Sequence, residues 1–94
     1  MPKRESQQEL QIRMQAADHM VPTGVVIRHV RTGGEYIVAG HSLRVGDLAG
    51  MVQYRPLTGP VIEFSREATG IQAKFVRADG DDWRGLETFQ ATTT

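Results

Sequence analysis

A chain of 94 residues with 11 basic and 11 acidic side chains has room for one domain, and its zero formal charge lacks the basic excess of a nonspecific nucleic-acid binder. The absence of cysteine excludes disulfide frameworks, thiolate metal sites and thiol catalysis. No apolar h-region opens the sequence and no run approaches about 18 apolar residues, so a soluble, cytoplasmic protein without a membrane segment is expected.

Ser6-Gln7-Gln8-Glu9 matches the S-x-x-E capping box, in which the hydroxyl accepts from the backbone three residues on and the glutamate reaches back. Good helix formers follow. Leu10, Met14, Ala17 and Val21 draw one apolar stripe, and Ile12, Ala16 and Met20 draw a second on another side. Pro22 stops the helix. Residues 1–22 therefore read as an N-terminal helical element, with a helix roughly 22 Å long that is marginal in isolation. Three uses for it are open: folding back onto its own sheet, pairing as a homo-oligomer through the Leu10/Met14/Ala17/Val21 face, or recognising another partner.

Residues 23–90 read as a small β domain. Two β-branched runs, about Val25 to Arg31 and Glu35 to Ala39, flank Thr32-Gly33-Gly34, a hairpin signal. Gly40 to Gly50, which carries His41, Arg44 and Asp47, reads as a loop. A third strand is expected at about Met51 to Arg55, a fourth at Val61 to Arg66 and a fifth at Ile71 to Arg77, with Gly/Pro-rich turns between. Trp83 and the Leu86–Phe89 segment would cover an open end, and 91–94 would be a frayed tail. The fold class that follows is mainly β (α+β): an N-terminal helix, then a five-stranded, SH3-like, partly open antiparallel β-barrel.

Arg28-His29, Gly33-Gly34-Glu35-Tyr36-Ile37-Val38, the Met51-Val52-Gln53-Tyr54-Arg55 strand and Phe64-Ser65-Arg66 follow one another in order. Over roughly Gly24 to Phe75 this run resembles a family of small bacterial and phage β domains of unknown function. The resemblance implies a compact β domain, frequently phage- or prophage-encoded, and no activity.

His41 and Ser42 are adjacent in extended chain and so point to opposite faces, which prevents a Ser–His dyad between them. His19, His29 and His41 have no metal-site spacing, and Asp79-Gly80-Asp81-Asp82 lacks the order of a calcium loop. No glycine-rich phosphate loop occurs. The basic residues of the strands carry more information. Arg28, Arg55 and Arg66 lie on three strands, with His29 and Tyr54 beside them, and arginines on a curved sheet can converge on an anion. The plainer alternative pairs each arginine with Glu35, Glu63 or Glu67. Tyr54 or Trp83 could stack a base.

The expected ligand site is thus Arg28, His29, His41, Tyr54, Arg55 and Arg66, with no catalytic residue, metal or cofactor. The expected function is a non-enzymatic binding protein, phage-type, that inhibits a host defence system by docking on a host protein or sequestering a nucleotide-like ligand. The alternatives are an adaptor β domain with no small ligand, and a hydrolase using His29 and His41.

Overall fold

The computed structural model describes residues 6–91. Helix α1 spans Gln7–Met20. The Ser6 hydroxyl accepts from the Glu9 backbone N–H at 3.1 Å, which makes half of the capping box; the Glu9 carboxylate turns instead to Arg13, one turn on, at 3.2 Å. The helix ends where Pro22 follows Val21. Residues 1–5 of the expected helical element and 92–94 of the expected tail lie outside the described residues.

Strands β1 (Val26–His29), β2 (Glu35–Leu43), β3 (Gly50–Pro56) and β4 (Phe64–Glu67) follow, then helix α2 (Ala68–Lys74) and β5 (Phe75–Arg77). They form one antiparallel sheet in the order β4-β3-β2-β1-β5. The expected hairpin is present: Gly33 adopts φ 77°, and the His29 N–H donates to the Gly34 carbonyl at 2.8 Å. No ladder joins β4 to β5, so the sheet is open rather than a closed barrel.

Three expected elements differ. Residues 71–74 are helical, not the first half of a fifth strand. Ala68, Ile71 and Phe75 are buried together at helical spacing, whereas Ala73, which alternation would place with Ile71, is exposed. The expected Gly40–Gly50 loop is shorter, because β2 continues to Leu43. A bulge between Val38 and Gly40 shifts the register, so Val38 pairs with Tyr54 while His41 pairs with Val52. The bulge turns His41 inward where strict alternation would have put Gly40, and it hides the strand from a period-of-two reading. Finally, β4 begins at Phe64, and Val61 is almost fully exposed.

The core lies on the inner face of the sheet, where Ile27, Val38, Val52, Ile71 and Phe75 meet the last turn of α1. Val21 is completely buried there, and Ala17 is buried one turn earlier on the helix. Only Leu10 and Met14 of the Leu10/Met14/Ala17/Val21 stripe keep partial exposure, so that face is half consumed within the chain. Gln72 fastens α2 to both neighbours, donating to the Met20 carbonyl at 3.0 Å and the Arg84 carbonyl at 2.7 Å. Trp83 packs on the core edge with its indole N–H on the Phe75 carbonyl at 2.9 Å, a structural role. Among the described residues no helix is long and apolar enough to cross a membrane.

Helix and sheet approach closely at Gly50, where an added Cβ would stand 2.9 Å from the Ala17 Cβ. Gly50→Ala is expected to cost about 1–3 kcal/mol in urea unfolding by forcing α1 off the sheet. Gly40→Ala, where a Cβ meets nothing within 4 Å, should stay within about 0.5 kcal/mol.

Candidate functional site

The register sorts the six expected site residues. On β1 and β3 the inner face receives Ile27, His29, Val52 and Tyr54, and the outer face receives Arg28 and Arg55. Arg28 pairs across the strands with Glu35 at 3.3 Å, and Arg55 is exposed opposite Ile37. Neither reaches the inner face.

His41 points inward but is enclosed, with its side chain 6% exposed. Its Nε2 donates to the Val21 carbonyl at 2.6 Å and its Nδ1 lies 3.2 Å from Thr23 Oγ1. The ring therefore closes the C-terminus of α1 onto β2, satisfying a carbonyl that Pro22 leaves without a helical successor. It is part of the scaffold.

The remaining three, His29, Tyr54 and Arg66, come together. They line a groove of about 250 Å³ with Thr32, Tyr36, Phe64 and Phe75. Its rings pack edge to face: Tyr36 and Tyr54 centroids are 5.4 Å apart, Tyr54 and Phe75 5.5 Å, and His29 and Phe75 4.9 Å. Tyr54 forms the floor at 5% exposure, while Phe64, 41% exposed, stands at the rim. The Arg66 Nε donates to the Tyr54 hydroxyl at 3.4 Å, and its guanidinium carbon lies 5.9 Å from the Phe75 centroid. A Cβ on Gly70 would come within 3.1 Å of Arg66 Cγ, so α2 braces the arginine stem. His29 Nδ1 accepts from the Thr32 backbone N–H at 3.2 Å.

Tyr36, Phe64 and Phe75 are absent from the expected site. Their signal was present as inward positions on alternating strands, but only curvature brings β4 and β5 across from one another.

A larger cavity of about 440 Å³ lies between α1, α2 and a 3₁₀ turn at Leu86–Thr88, with Ile12, Ala16, Met20 and Phe89 among its walls. Size alone would favour it as a ligand site. Its charged rim is already neutralised, Glu9 by Arg13 and Glu67 by Arg44, so among the described residues no free charge lines it to orient a ligand. The smaller groove keeps its arginine without a carboxylate within 4.0 Å among the described residues, and is the better candidate.

Other polar clusters are self-satisfied. Ser42 bonds Gln53 at 2.7 Å on the outer face. Asp79 accepts from Arg77 at 2.9 and 3.1 Å and from the Asp81 N–H at 2.9 Å. Among the described residues no three His, Asp or Glu side chains gather as a metal set. Comparison with protein-family models, curated proteins and solved structures finds no match to this chain.

Two predictions follow from these placements. His41→Ala should destabilise the fold by about 1–3 kcal/mol in denaturant titration, since the Val21 carbonyl loses its donor. The Arg44 guanidinium, followed by the Ala49 N–H, holds the Asp47 carboxyl down at about 2. A depressed folded pKa stabilises the fold above the unfolded carboxylate pKa of about 4, and this contribution is lost as pH falls through the folded value. Carboxyl NMR should place the Asp47 midpoint near 2, and Arg44→Gln should return it to the ordinary range.

Proposed function

We propose that this chain is a non-enzymatic binding domain whose site is the aromatic groove, and that its ligand is planar and anionic. The carrying observation is the placing of Arg66: packed against Gly70, bonded to the Tyr54 hydroxyl and without a carboxylate within 4.0 Å among the described residues, at the mouth of a ring-lined cavity. Rings supply stacking faces, a guanidinium supplies a two-pronged grip on an anion, and the His29 ring and Thr32 hydroxyl add polar groups for orientation. Nothing in this set pairs a nucleophile with an oriented base, which favours capture over turnover. Capture without turnover is also how such a domain would sequester a nucleotide-like signal, the phage-type inhibitory role expected from the sequence. The strand order, with a helix joining the two sheet edges, supports reading the scaffold as an SH3-like, partly open barrel.

The test is to purify the protein natively, denature it and identify released small molecules by mass spectrometry, then titrate them back. A planar anion should be recovered, and Arg66→Ala or Phe64→Ala should weaken its binding at least tenfold with the fold retained by circular dichroism. Undiminished binding in both variants would remove the groove from consideration.

A further inference from the structure

Beside the aromatic groove lies a second cleft of about 310 Å³, with His29 and Arg66 serving as walls of both. Arg31 and Lys74 complete its charged lining, and among the described residues no acidic side chain lines it. Resting on the groove reading above, we propose that the two cavities form one nucleotide site: the base stacks in the aromatic groove, and the phosphate sits in the adjoining cleft among Arg31, Arg66 and Lys74.

The charge arrangement carries the argument. Arg13, Arg28, Arg44 and Arg77 are each ion-paired, at 3.2, 3.3, 2.5 and 2.9 Å. Arg31, Arg66 and Lys74 have no carboxylate within 4.0 Å among the described residues, yet they share one concave surface. In a chain with equal numbers of acids and bases, three unpartnered cations in one cleft repel one another, and a phosphate dianion removes that repulsion. The Lys74 carbonyl, at the end of α2, accepts from the Val30 N–H at 3.0 Å, so it is engaged with β1. The same bond ties the end of β1 to the end of α2 and sets Arg31 and Lys74 on either side of the cleft.

Size then limits the ligand. Ligand sites usually enclose about 300–1,000 Å³. The groove alone falls below that range, and groove and cleft together lie within it, which suits a single mononucleotide rather than a polymer. A bare phosphate would use the cleft and waste the rings. An uncharged aromatic would use the rings and leave three cations unneutralised.

Isothermal titration with the common nucleoside 5′-monophosphates, the matching nucleosides, inorganic phosphate and a single-stranded oligothymidylate tests this on the whole chain. At least one monophosphate should bind tenfold or more above both its nucleoside and inorganic phosphate, with affinity falling as salt rises. Arg31→Ala combined with Lys74→Ala, both at the cleft rather than the rings, should reduce that monophosphate to the affinity of its nucleoside and leave the nucleoside unchanged. Equal binding of nucleoside and monophosphate, or full monophosphate binding by the double variant, overturns the phosphate cleft while leaving the groove standing. Inorganic phosphate binding as tightly as the monophosphate, or oligothymidylate binding more tightly, overturns the mononucleotide assignment. If no nucleotide binds but a natively retained planar anion does, the inference fails and the groove reading survives. If Arg66→Ala and Phe64→Ala also leave that anion bound, both fail.

Discussion

One connection controls the shape of this protein: β4 ends at Glu67, α2 begins at Ala68, and β5 begins at Phe75, directly after the helix. Those strands are the two edges of a five-stranded sheet. Four strand spacings laid flat would separate the edges by about 19 Å, whereas the rise of a seven-residue helix is only about 10 Å. The sheet must curl until its edges face each other across the core. Ile71, completely buried beneath that bridge, and Phe75 at its end fill the space so enclosed. The contact of the Arg66 guanidinium on one edge with the Phe75 ring on the other is a direct product of this curvature.

With the edges drawn together, the inner face divides into two territories. The last turn of α1 covers one, held by the Val21 carbonyl on His41, the Met20 carbonyl on Gln72 and the close seating of Ala17 over Gly50. A 14-residue helix gains little from its own hydrogen bonds, so this docking is what keeps it folded. The other territory is left to aromatic rings, which pack on one another and still present Phe64 to solvent. The division places helix-fixing polar groups at one end and the polar groups of the aromatic groove at the other. It accounts for two histidines on the same face, His41 and His29, having unrelated work.

How much of this could be read from the residues depended on whether their cause was local. The Ser6 cap, the break at Pro22 and the Gly33 hairpin are decided within a few residues and were legible. Helix α2 was not, because Ile71, Ala73 and Phe75 fit a strand while Ala68, Ile71 and Phe75 fit a helix, and only burial chooses between them. The extension of β2 was obscured by one bulged residue. At the site, alternation already contained a correction: Arg28 cannot share a face with His29, nor Arg55 with Tyr54, if both lie in strands. His29, Tyr54 and Arg66 belong to the single site expected from the sequence, together with Arg28, His41 and Arg55. Their convergence with Tyr36, Phe64 and Phe75 depends on the curl of the sheet, a property of the whole chain.

The strand order also sets the sequence of events during folding. The β1–β2, β2–β3 and β3–β4 pairings each join neighbours along the chain, so they close short loops and can zip one after another. Only the β1–β5 pairing brings distant segments together, and it must wait for a template. Helix α2 shortens that search by delivering β5 to the far edge as soon as β4 has docked. The aromatic groove, with Phe64 from one edge and Phe75 from the other, is therefore complete only once the β1–β5 pairing has formed.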